Sequence, residues 1–122
     1  MIGNAVWFEI PAANFEHAVK FYEAVFQVSL KRQQMLGSDL AIFPGNDTSV
    51  NGAVVSQDGY VPAVNGAVVY LNTGDDLTPC LERLITIGGS VIEPKTALPP
   101  GMGHFAHFGD TEVNRVGLFS QN

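Results

Sequence analysis

The chain has a single cysteine, few positive charges and no long apolar run, and each scarcity removes a class of function. Cys80 stands alone among 122 residues, so neither an internal disulfide nor a thiolate zinc cluster can be assembled. A lone thiol of this kind is expected in the core. Lysine and arginine number 6 against 12 aspartates and glutamates, and the cations Lys20, Lys31, Arg32, Arg83, Lys95 and Arg115 form no basic tract. Nucleic acid and anionic membrane surfaces are held by clustered positive charge, so a net charge of −6 makes both poor partners. No apolar stretch approaches the roughly 20 residues of a membrane helix. Met1-Ile2-Gly3-Asn4 carries neither the basic nor the apolar region of a leader, and a cytoplasmic location is the expectation.

What is present describes a folded chain. With 46% hydrophobic and 15% charged residues, it can bury enough apolar surface to offset its ordering entropy. The length suits one domain over residues 1–122.

Two segments carry a helical period. Between Asn14 and Phe26 the residues Phe15, Ala18, Val19, Tyr22, Val25 and Phe26 recur at three- and four-residue steps, with Asn14 as N-cap. From Asp75 or Asp76 onward, Leu77, Cys80, Leu81, Leu84 and Ile85 repeat that stripe until Gly88-Gly89 stops it. Runs rich in β-branched and aromatic residues precede both helices, at Val6–Ile10 and Ala67–Leu71. Further strands are expected at Val28–Gln33, Leu40–Phe43 and Asn51–Ser56, then at Val91–Glu93, His104–Phe108 and Arg115–Phe119. Gly45-Asn46-Asp47, Pro99-Pro100-Gly101 and Asp110-Thr111-Glu112 read as turns.

The two halves repeat. Laid over one another, Trp7 falls on Val69, Asn14 on Asp76, Ala18 on Cys80, Val19 on Leu81 and Phe43 on Phe105. The expected architecture is α+β, a βαβββ module over about residues 1–58 and a second over about 66–122, joined by Gln57–Asn65.

Trp7-Phe8-Glu9-Ile10-Pro11, Asn14 and Phe21-Tyr22 resemble the opening of the vicinal oxygen chelate superfamily, which includes the glyoxalases, bleomycin-resistance proteins and extradiol dioxygenases. Gly103, Phe105-Ala106, Phe108, Asp110-Thr111-Glu112 and Asn114-Arg115-Val116-Gly117-Leu118 are similar to its terminal hairpin. The resemblance implies that the modules form a half-open mixed β-barrel, and that the protein is a homodimer. It also implies four ligand positions for a divalent metal, normally His, Glu or Gln. Here they fall on Trp7, Val54, Val69 and Gly117, none of which offers a suitable lone pair, so no metal or other cofactor is expected.

Strand alternation puts Trp7 and Glu9 on one face of the first strand, opposite Phe8 and Ile10. Glu9 is the candidate catalytic base or a binder of cations; the alternatives are an ion pair with Arg115 or simple solvation. Trp7, with Phe119 and the neighbouring Val69, offers a surface for a planar ligand, or else fills the space of the missing metal. His104 and His107 stand three apart in a strand and face opposite sides, so they cannot chelate together; His104 and Arg115 are carried as candidate ligand contacts and His17 as solvated. Val113 stands where the family usually has a glycine, which suggests a different turn. Three functions remain open: metal-free binding of a small, partly aromatic molecule, a lyase or isomerase using Glu9 or an atypical metal site, and a purely structural role.

Overall fold

The computed structural model describes residues 5–122; Met1–Asn4, read above as lacking leader features, lie outside the described residues. The elements run β1 (Trp7–Pro11), α1 (Phe15–Phe26), β2 (Lys31–Met35), β3 (Ser38–Ile42) and β4 (Asn51–Ser56), then β5 (Tyr70–Asn72), α2 (Thr78–Thr86), β6 (Ser90–Ala97), β7 (His104–Gly109) and β8 (Arg115–Ser120). This is βαβββ twice. Each module makes a mixed four-stranded sheet, ordered β1-β4-β3-β2 and β5-β8-β7-β6, with a parallel pair at one edge and antiparallel pairs elsewhere. Neither sheet closes on itself, so the α+β fold is half-open.

Local chemistry sets the helix ends. The Asn14 side chain accepts the His17 amide at 3.2 Å, which satisfies one of the donors a helix start leaves bare. Asp76 does the same for Thr78 at 2.9 Å while also receiving Lys95, and that lysine's hydrogen bond is the main reason its carboxyl titrates at about 2. Helix α1 buries Ala18, Val19, Phe21, Tyr22 and Val25, and α2 buries Cys80 and Leu84. One hydrophobic core takes these together with Ile10, Val54, Leu71, Ala106, Phe108, Val116 and Leu118, so both modules feed it.

A polar latch joins the modules at the turn between β7 and β8. Asp110 accepts the Tyr22 hydroxyl at 2.6 Å in a buried setting, and also the amides of Glu112 and Asn114. Burial and the Asp110 carboxylate together push the Tyr22 phenol well above its ordinary range. Asn114 donates to the Pro11 carbonyl at 2.7 Å, and the Glu112 carboxylate accepts the amides of Ala13 and Asn14 at the start of α1. Arg83 of α2 donates to the Val25 carbonyl near the end of α1 at 2.7 Å.

Several boundaries differ from expectation. Val28 packs against the core as coil and β2 begins at Lys31. The β2–β3 hairpin turns on Leu36-Gly37, both at positive φ (52° and 80°), as a two-residue hairpin requires. β6 continues through Pro94 with two register irregularities, tolerated because it is an edge strand. At Val113 the chain keeps a left-handed conformation, φ 62°, on a β-branched residue that is 67% exposed.

Candidate functional site

The faces of the strands decide which side chains meet. Phe8 and Ile10 of β1 join the helix-packed core, which leaves Trp7 and Glu9 on the concave face, away from the helices. On β8, Val116 and Leu118 are core, so Arg115, Gly117 and Phe119 are concave; on β7, Ala106 and Phe108 are core, so Phe105 and His107 are concave.

Three positions singled out in the sequence stand on the other side. Val69 packs against the core with Leu71, and the concave residue of that strand is Tyr70. The simple overlay of the halves is out by one residue there, since Phe8 and Ile10 correspond to Val69 and Leu71. A one-residue slip in a strand reverses its faces. Val54 is likewise wholly buried in the core, while Ala53 and Val55 form a small separate cluster with Leu40 and Ile42 on the opposite face. His104 shares its face with Ala106 and Phe108, and its Nδ1 is buried without a partner.

Two hydrogen-bonded groups occupy the concave faces. In module 1, Glu9 accepts Trp7 Nε1 at 3.2 Å and the hydroxyl of Tyr60, from the linker, at 2.9 Å. The second bond raises the Tyr60 pKa. In module 2, Arg115 Nε donates to His107 Nδ1 at 2.9 Å, and Tyr70 Oη lies 2.6 Å from His107 Nε2. Because Nδ1 accepts from arginine, the proton of neutral His107 belongs on Nε2, which then donates to the Tyr70 oxygen. The Tyr70 O–H is thereby left free to donate elsewhere. Desolvation, then the Arg115 charge, lowers the His107 pKa against a smaller opposing effect of Glu93, which keeps the imidazole neutral at pH 7. The ion pair of Glu9 with Arg115, one of the alternatives to a functional role, does not form; the ion pairs among the described residues are Arg32–Glu16 and Lys95–Asp76.

Gly117 explains how Tyr70 sits where it does. The two residues are cross-strand partners, and a Cβ on Gly117 would lie 2.4 Å from the Tyr70 ring. The aromatic ring therefore lies over the glycine, edge-on to Phe105 at 6.4 Å and 5.2 Å from the His107 ring. Trp7 is 40% and Tyr70 50% exposed. β1 and β5, the outer strands of the two sheets, line a cleft of about 930 Å³ that takes in Trp7, Phe8, Phe43, Tyr70 and Leu71, and a hollow of about 140 Å³ lies between Glu9 and Arg115.

These residues do not fit a divalent metal. Trp7 and Gly117 are the two inferred ligand positions that are concave, and neither has a donor; both nitrogens of His107 are engaged. Among the described residues no three His, Cys, Asp or Glu side chains converge.

No family model matches the chain. A "glyoxylase-like domain-containing protein" from Didymella fabae is 30% identical over 122 residues, covering 92% of this chain and 89% of its own. The chain belongs to the vicinal oxygen chelate superfamily. Solved structures of the superfamily carry the same fold. A glyoxylase/bleomycin resistance protein/dioxygenase domain from Frankia sp. EAN1pec superposes with TM-score 0.72 at 16% identity, covering 100% of this chain and 93% of that one. An antibiotic binding protein from Streptomyces sp. CB03234 gives 0.64 at 20%, covering 99% and 98%. Glyoxalase I from Zea mays gives 0.68 at 15%, covering 98% of this chain, which spans 44% of the length of the maize one. At these identities the likeness is one of fold.

Tyr60 and Tyr70 were not singled out in the sequence, and His107 was weighed there beside His104 but not carried as a candidate. A signal for two of them was present: a glycine at the inferred ligand position beside an aromatic strand leaves room for a ring, and His107 alternates with Phe105.

Proposed function

We propose that this vicinal oxygen chelate protein is a metal-free binder of a small, partly aromatic molecule, held along the concave faces at the seam of the two modules. The observation that carries this reading is the Tyr70 ring lying across Gly117, beside His107 and Arg115. A ring and a hydrogen-bond chain occupy the strand pair from which the resemblance drew two of its metal ligands. Trp7, Phe105 and Phe119 add aromatic surface, and flat aromatic walls with a few fixed polar groups are the usual make-up of a small-molecule site. The half-exposed Trp7 and Tyr70 also suit cover by a second copy, so a homodimer belongs to this proposal.

Trp7 is the one tryptophan and reports on the seam directly. A panel of aromatic compounds should quench or shift its emission saturably, and dialysed protein should carry well below one equivalent of zinc, nickel, manganese or iron. Stoichiometric metal that leaves when His107 is replaced would sink the proposal.

A lyase or isomerase with Glu9 as base is the second reading. In its favour, Glu9 is held on the exposed face by two donors. It requires turnover that Glu9→Gln abolishes while binding survives.

A further inference from the structure

We infer that the ligand of this site is an aromatic carboxylate, recognised at its carboxyl group by Arg115 and Tyr70 and at its ring by Trp7, Phe105 and Phe119. The inference rests on the small-molecule-binding reading above and adds the chemistry of the ligand. Arg115 spends Nε on His107, while its two Nη groups have no partner among the described residues. A guanidinium presents its N–H groups in one plane at the spacing of two carboxylate oxygens, so the vacant groups form half of a fork made for that anion. Tyr70 supplies one more donor, since its oxygen already accepts from His107 Nε2 and its hydrogen has no acceptor among the described residues. Arginine, imidazole and phenol thus run as one chain whose free end donates. One step further along the strands, beyond His107 and Gly117 and away from Arg115, Phe105 and Phe119 are cross-strand neighbours on the same concave face.

Two carboxylates stand nearby and oppose an anion, and their arrangement decides against them. Glu9 shares the small hollow with Arg115, but two of its acceptor sites are occupied by Trp7 and Tyr60, and it makes no ion pair with the arginine. Glu93 lies on edge strand β6 and takes a long bond from Thr96 at 3.4 Å. A bound carboxylate would touch Arg115 directly, whereas neither Glu9 nor Glu93 comes within ion-pair distance of the arginine, and charge repulsion weakens with separation.

The test uses benzoate, its neutral isostere benzamide and the cation benzylamine, each titrated against Trp7 fluorescence in the intact protein. Benzoate should bind roughly tenfold more tightly than benzamide, the size of one charge-assisted hydrogen bond over a neutral one. Arg115→Gln should erase that preference, and Tyr70→Phe should weaken both oxygen-bearing ligands several-fold while leaving benzylamine unmoved. Benzylamine binding as tightly as benzoate, or a benzoate preference that persists in Arg115→Gln, overturns the inference and leaves aromatic binding standing. No response to any of the three compounds removes the binding reading itself, and this inference with it. The comparison among ligands on the unaltered protein decides the charge preference even where a variant fails to fold.

Discussion

Val113 pairs an unfavourable backbone with a side chain that gives little in return. A β-branched residue in the left-handed region costs about 1–2 kcal/mol, and this one is mostly in solvent. The conformation persists because the chain must bring Asn114 back to Asp110, and the Val113 amide itself bonds the Asp110 carbonyl at 3.0 Å. Replacing Val113 by glycine should therefore raise stability by about 1 kcal/mol, read as a higher denaturant midpoint at unchanged slope. A loss of stability would mean that the valine packs against something. The geometry of this turn was not legible in the sequence, because a β-branched residue argues against the left-handed region while the hydrogen bonds to Asp110 hold Val113 there.

At the scale of elements, the latch bears on packing and the β7–β8 pair on pH. Asp110→Ala leaves the buried Tyr22 hydroxyl and the Asn114 amide without their acceptor, and should cost about 3 kcal/mol or more in chemical denaturation. His107 faces Arg115 from β8, Tyr70 from β5 and Glu93 from β6, and its pKa is lowered from 6.5. The unfolded chain then takes up a proton that the folded chain resists, so stability is full above about pH 6.5 and falls as acid is added below it. The slope below that point should shrink in His107→Gln. An unchanged slope would mean that another group is responsible. Helix α1 was legible because Asn14 caps a clear apolar stripe, and β4 because Asn51–Ser56 is a compact apolar run. The bounds of β2 were not, since Lys31–Met35 is exposed throughout and has no inner face to fix where the strand expected at Val28–Gln33 begins and ends. The faces of β1 and β8 followed from alternation alone, whereas that of β5 did not. Three residues are too few to fix a register, and Val69 was taken for the position that belongs to Tyr70.

For the whole molecule, the main core is shared, and what module 1 keeps to itself is only the small cluster of Leu40, Ala53 and Val55. Ile10, Tyr22, Phe108 and Leu118 belong to a single cluster, and Tyr22 packs on Phe108 across the boundary. Separately expressed halves, cut near Gly59, should be insoluble or unfolded, and mixing them should restore structure if anything does. Cooperative melting of either half alone would contradict this. The latch adds an order of events to that dependence. Glu112 accepts the amide of Asn14 from 98 steps further along the sequence, so on a ribosome the first helix is complete long before the carboxylate that ties down its lead-in has been made. During that interval Asn14 alone caps α1, the amides of Ala13 and Asn14 lack their acceptor, and the apolar face of the helix has no second module to cover it, the state in which a nascent chain most needs a chaperone.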